Sequence, residues 1–254
     1  MMIKTHVCIF AAFSLTIFSG CMFAGNPLSK LWFYTYSNGS TTGRDTLLTP
    51  ASFLELRADG SYTRDFGRFD YGSWTRKDQQ LFLTNQRHTT YVYPLGGVTD
   101  KDMQLTLSKG TQGDFEGLPL PSEKEAEDPF SLVNNRWRIP ATHKETDEEI
   151  RRRLANHCHF WQKYFAWALD KNLETVDVRS TPTPIKIYGN GFGLKHIEDL
   201  PAEWRSYFFD AEDCQKANDM IKEVFDHQNI AWAHTDSKYK MFLSAFQQME
   251  NFFR

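Results

Sequence analysis

Between Phe53 and Leu107 the chain alternates apolar and polar residues in short runs cut by turn residues. In Ser52-Phe53-Leu54-Glu55-Leu56-Arg57, Leu54 and Leu56 fall on one face and Glu55 and Arg57 on the other, the period of a half-buried strand. Asp59-Gly60 then supplies the two positive-φ positions of a tight hairpin turn, which pairs the return strand Tyr62–Phe66 directly with the first. The alternation recurs at Phe69–Trp74, Leu81–Leu83, Tyr91–Tyr93 and Met103–Leu107, and connections as short as Arg76-Lys77-Asp78 force neighbouring strands to be antiparallel. Upstream, Leu31–Tyr36 predicts a first strand ending at Asn38-Gly39, and Thr46–Thr49 a weak one before Pro50. Residues 30–109 therefore predict an antiparallel meander of about seven strands, curled into a small barrel.

The period changes after a boundary. Residues 110–131 are rich in Gly, Pro and acidic side chains, too poor in apolar groups to offset chain entropy, and predict a loosely packed linker. Within 132–254, Thr146-Asp147-Glu148-Glu149 is a capping box opening a long helix. Ile150, Leu154, Cys158, Trp161, Phe165 and Leu169 form one face of it, and Phe160, Tyr164 and Trp167 a second stripe, so the helix must be covered on two sides. Asn190-Gly191 predicts a small hairpin within 174–195, and three helices follow over Pro201–Phe209, Ala211–Gln228 and Ser237–Phe253. The fold class is α+β: a β-barrel followed by a mainly helical domain.

Leu31-Trp32, Phe53-Leu54-Glu55-Leu56, Asp59-Gly60-Ser61-Tyr62, Tyr71-Gly72-Ser73-Trp74 and Leu81-Phe82-Leu83 stand in an order and spacing that resembles bacterial lipocalin-like domains. The resemblance runs from about Leu28 to Lys109, less than half the chain. It implies an up-and-down barrel, closed at eight strands or partly open, with Trp32 plugging one end. On that reading Tyr62, Phe66, Phe69, Tyr71, Tyr91 and Tyr93 are the candidates to line an interior holding a small apolar ligand.

The first residues change the picture of where this domain works. A basic start, an apolar run from Val7 to Phe18 too short to span a bilayer, and Ser19-Gly20 before Cys21 read as a secretion signal over 1–20. Ile17-Phe18-Ser19-Gly20-Cys21 resembles a lipobox, which implies cleavage before Cys21, a lipid on its sulfur and 21–29 as a tether. Lipid chains contribute about 0.8 kcal/mol per buried methylene, enough together for stable anchoring. The expected location is the cell envelope, on the outer membrane facing the periplasm, since no acidic run follows Cys21. The signal removes one of 29 basic side chains and none of 32 acidic ones, so the balance stays near neutral and favours neither nucleic acid nor an acidic surface. Cys158 and Cys214 then remain in an oxidising compartment. A disulfide between them would close about 57 residues and contribute about 4 kcal/mol; the alternative is two buried thiols.

No catalytic constellation stands out. His157-Cys158-His159 has metal-binding residue types, but positions two apart on a helix point about 200° from each other. Arg151-Arg152-Arg153 reads as a solvated face with acid partners, Gly189–Gly193 as turn chemistry, and neither G-x-S-x-G nor H-E-x-x-H occurs. No metal or cofactor is predicted. The sequence points first to a non-catalytic interaction or scaffold module in an envelope assembly, with protein partners on the aromatic helical domain. The alternative is a carrier of a small apolar ligand, and third an envelope enzyme whose acid and base lie far apart in the chain.

Overall fold

The structure, a computed structural model, describes residues 26–35, 52–107, 112–173, 200–227, 230 and 237–254. The signal, Cys21, the weak strand at Thr46–Thr49 and the hairpin within 174–195 lie outside the described residues. Eight strands form a closed barrel in sequence order: β1 (Leu31–Thr35), β2 (Phe53–Leu56), β3 (Ser61–Asp65), β4 (Phe69–Lys77), β5 (Gln80–Asn85), β6 (Thr90–Val98), β7 (Asp102–Thr106) and β8 (Gln112–Leu118). Every pair is antiparallel, and β8 closes on β1 with Leu31 opposite Leu118 and Thr35 opposite Asp114.

Strand β8 lies in the stretch whose composition predicts a linker. Its inward positions are Gly113, Phe115 and Gly117, so it carries one bulky inner side chain, and its outward positions are polar except for Leu118 at its end. Pairing on both sides, not local propensity, makes it a strand. Gly117 is required there, because a Cβ would stand 2.7 Å from the Trp32 ring. The end of the linker is also packed, with Asp128, Phe130 and Ser131 buried, while residues 123–127 are exposed. The β2–β3 turn differs from expectation as well. Only Gly60 has positive φ, while the Asp59 carboxylate accepts from the Ser61 backbone N–H at 2.8 Å, so the turn is held by an Asx contact.

Two apolar clusters divide the molecule. One is the barrel interior, with Trp32, Leu54, Leu56, Trp74, Leu83 and Leu105. At the closed end the Trp32 indole donates to the Leu28 carbonyl at 2.9 Å and that of Trp74 to the Arg57 carbonyl at 2.8 Å, which fulfils the plug expected of Trp32. The other joins the outer faces of β1, β2 and β4, at Leu31, Phe33, Phe53 and Phe69, to the helices. All of β2 is therefore buried on both faces.

The helical part comprises α1 (Leu132–Asn135), a 3-10 turn (Arg136–Arg138), α2 (Asp147–Asp170), α3 (Ala202–Arg205), α4 (Ala211–His227) and α5 (Lys238–Phe253). The capping box is formed: Thr146 Oγ1 accepts from the Glu149 N–H at 3.3 Å, and the Glu149 carboxylate accepts from the Thr146 N–H at 2.9 Å. Both stripes of α2 are covered by this chain. Phe165 packs on Tyr239 and Phe242 of α5 at 5.1 and 5.3 Å, whereas Tyr164 and Trp167 meet Phe130 at 5.7 and 5.0 Å and Trp167 stacks on Phe33 of β1. The predicted helix over Pro201–Phe209 is shorter, ending at Arg205.

Two buried ionic clusters fasten barrel to helices. Arg57 lies between Glu55, at 3.3 Å, and Asp128, with which it forms a close ion pair. Arg138 of the 3-10 turn pairs with Asp65 at the end of β3. Among the described residues, no helix is long and apolar enough to cross a membrane.

Candidate site at the barrel mouth

The end of the barrel opposite the tryptophan plug opens into a cavity of about 780 Å³. Its walls come from the end of β3, the start of β4, the β5–β6 turn and the end of β7, with Ile139 and Pro140 of the helical part completing one side. Arg153 helps to fix that side, since its guanidinium donates to the carbonyls of Trp137 at 2.7 Å and Ile139 at 2.9 Å while pairing with Glu145 at 2.8 Å. Within the arginine run on α2, Arg153 is thus consumed internally and Arg151 lies over the Phe252 ring, while Arg152 is exposed.

Alternation places Tyr62, Arg64 and Phe66 toward the interior, because Leu54 and Leu56 face inward and stand opposite Arg64 and Tyr62. Arg64 is the organising residue. Its Nη2 donates to Asp70 Oδ2 at 2.9 Å, its Nη1 makes a close contact with the Tyr93 hydroxyl, and its guanidinium stacks on the Tyr91 ring at 4.1 Å. The Tyr62 hydroxyl also donates to Asp70 Oδ2, at 3.1 Å. Burial opposes the charge on Arg64, but Tyr93 and Asp70 outweigh it and raise its pKa. Tyr62 and Tyr93 are both pushed up, chiefly by burial, so their hydroxyls stay protonated donors.

The six tyrosines and phenylalanines proposed as ligand-lining divide between the two faces. Tyr62 lies deep in the interior below the cavity, while Phe66, Tyr91 and Tyr93 pack against the interior cluster and line the cavity. Phe69 and Tyr71 line its rim from the outer face, stacked on each other at 6.0 Å and packed toward the helices. Inward on β4 are Asp70, Gly72 and Trp74, so the inside-outside assignment of Phe69 and Tyr71 is reversed. The reversal follows from the helical domain, which buries the outer face and makes both faces of β4 partly apolar. Arg64 and Asp70 were not singled out by motif or spacing. A charged residue opposite Leu54 on an inward face was the available signal.

Other candidates lead elsewhere. Cys158 and Cys214 are buried free thiols, so of the two alternatives the structure carries the unpaired one. His157 sits among Trp137, Trp204 and Phe246, with ring centroids 4.4, 5.0 and 5.9 Å away, while the His159 Nδ1 approaches Glu250 at 3.3 Å. Burial, and then Arg138, hold the His157 pKa well below its ordinary value, so the ring is neutral. Among the described residues no group of three His, Cys, Asp or Glu side chains is placed to hold a metal ion.

No family model matches the chain, and no curated protein matches it. Among solved structures it is similar to a lipocalin-like protein from Bacteroides uniformis, at 13% identity over 37% of this chain and all of the other, with a TM-score of 0.28. It is also similar to an uncharacterized protein from Bacteroides eggerthii, at 16% identity over 36% of this chain and 99% of the other, with a TM-score of 0.26. The deciding observation is topological: eight consecutive strands, each paired to the next, with the last closing on the first. The strands between Leu31 and Leu118 form a barrel of lipocalin-like fold. Among the described residues its lower interior is filled by its own side chains, and the cavity of about 780 Å³ lies at its mouth.

Proposed function

We propose that this protein is a non-catalytic, lipid-anchored binding protein of the cell envelope that holds a small amphipathic molecule in the mouth of its barrel. The carrying observation is the cavity of about 780 Å³, within the range of small-molecule sites, whose aromatic walls surround one polar cluster at Arg64 and Asp70. An apolar ligand alone would leave that cluster without a role. The lipobox-like sequence ending at Cys21 supports anchorage, on the outer membrane and facing the periplasm. The scaffold reading drew on the two-striped helix α2, and both stripes are consumed by β1, Phe130 and α5. The helical part serves instead as a buttress that closes the cavity wall at Ile139 and Pro140.

The test is a fluorescence titration with N-phenyl-1-naphthylamine, an uncharged two-ring probe, on the protein carrying its anchor in detergent micelles, corrected against micelles alone. Saturable binding weakened about tenfold by Tyr91→Ala, and unchanged by Val133→Ala at an exposed residue that does not line the cavity, supports the mouth site. Absence of saturable binding overturns it.

A further inference from the structure

The polar cluster at the mouth is incompletely satisfied. The guanidinium of Arg64 has its Nη atoms engaged, but Nε is fully buried and has no hydrogen-bond partner. Nε and Nη2 together form one edge of the planar fork, the edge that binds two oxygens of a carboxylate or sulfonate side by side. Asp70 uses only half of it, through a single oxygen on Nη2. The Asp70 side chain is more exposed than that of Arg64, 18% against 8%, so the carboxylate stands between the guanidinium and water. Asp70 has a second donor waiting, the Tyr62 hydroxyl at 3.1 Å. The remaining charges on the cavity wall are Arg68 and Arg87, both exposed at the rim, so the wall carries three arginines against one carboxylate.

From this we infer that the ligand is an anion, an amphipathic molecule with a carboxylate, sulfonate or phosphate group, and that Asp70 is an internal stand-in which the ligand displaces from Arg64. The inference rests on the mouth being a binding site. On entry the anionic group takes Nε and Nη2 together, while Asp70 swings toward Tyr62 and keeps that one donor. The aromatic body of the ligand lies along Tyr91, Tyr93 and Phe66, and Arg68 and Arg87 raise the local concentration of anions at the rim. Asp70 also has a role in the empty protein, since without it the buried charge of Arg64 would lack a counterion. Charge complementarity favours this direction: a cationic ligand would meet three arginines, and a neutral one would leave Nε unsatisfied.

Two probes with the same ring system separate the ideas. N-Phenyl-1-naphthylamine is neutral, and 1-anilinonaphthalene-8-sulfonate adds one anionic group to the same skeleton. The expected result is that the sulfonate binds about tenfold or more tightly than the neutral probe, the range of one charge-assisted hydrogen bond. Asp70→Asn, which keeps the shape but removes the competing charge, should tighten the sulfonate and raise its preference over the neutral probe several-fold. Arg64→Gln should abolish the preference; should this variant not fold, Asp70→Asn and the paired rim change Arg68→Ala with Arg87→Ala decide the question alone. Equal affinities in the wild type, or an Asp70→Asn variant that does not tighten the sulfonate, overturn the anion inference while the mouth site stands. If neither probe binds, the mouth reading itself fails and the inference falls with it.

Discussion

The hydroxyl of Thr63, on the outer face of β3, donates to the carbonyl of Phe130 at 2.7 Å. A strand of the barrel is thereby bonded to the segment that leads into the helices. Glu55 Oε2 lies 3.2 Å from the same hydroxyl, so the Thr63 proton is shared between the two acceptors. Burial, and then the Asp128 carboxylate beside it, push the Glu55 pKa well above its ordinary value, so this carboxyl holds its proton more tightly than an exposed one.

A stability profile against pH should show that proton. A carboxyl whose folded pKa is raised binds a proton in the native state that the unfolded chain has released. Its contribution therefore falls as pH rises from about 4.5 toward the raised value. Glu55→Gln lacks this term, so the wild type should lose stability relative to Glu55→Gln across that window. Urea unfolding at half-unit pH steps measures it, and parallel profiles for the two proteins would contradict the raised pKa.

His157 should act in the opposite direction. Its folded pKa lies below the ordinary 6.5, so below that pH the unfolded chain takes up a proton the native protein does not. Stability from this group is complete above about 6.5 and falls on acidification by about 1.4 kcal/mol per pH unit until the folded pKa is reached. His157→Gln should flatten the slope between pH 6.5 and 5 even though it lowers stability overall. A slope unchanged by the substitution would show that the ring is not buried and neutral.

Phe130 belongs to both halves of the molecule, with Phe33 and Phe53 on the barrel 5.4 and 5.0 Å away and Trp167 on α2 also at 5.0 Å. Truncation to alanine should cost about 3–5 kcal/mol. Because one cluster joins the two halves, barrel and helices should unfold in a single transition in the wild type. Near-ultraviolet and far-ultraviolet circular dichroism followed in urea check this; two separated transitions in the wild type would show that the halves are independent.

Cys158 and Cys214 should behave as core groups. Both are free and fully buried, and burial raises their pKa values, that of Cys214 to about 11. In the folded protein they should resist a thiol reagent at neutral pH and react on unfolding. Rapid modification of the native protein would contradict this packing.

The alternation of Leu54 and Leu56 and the turn at Gly60 make β2, β3 and their pairing legible in the sequence. The capping box at Thr146 and the two stripes of α2 were equally plain, because caps and helical periodicity are local. What stayed hidden was set by distant parts of the chain. Strand β8 has glycines at two of its three inward positions, which is too weak a pattern to read without its partners β1 and β7. Phe69 and Tyr71 look like an inner face until α2 and the 3-10 turn arrive to bury the outer one. At the site, aromatic residues signalled the mouth, but Arg64 and Asp70 lie six residues apart on adjoining strands and form a pair only through the hairpin register.

The central claim is that the barrel mouth holds a small molecule, and native mass spectrometry of the intact protein extracted from membranes tests it most directly. The account predicts a one-to-one complex with a species of a few hundred daltons, present in the wild type, lost with Tyr91→Ala, and found on a chain whose mass includes a lipid on Cys21. A chain free of any small ligand, or one that retains the same ligand after Tyr91→Ala, would contradict it.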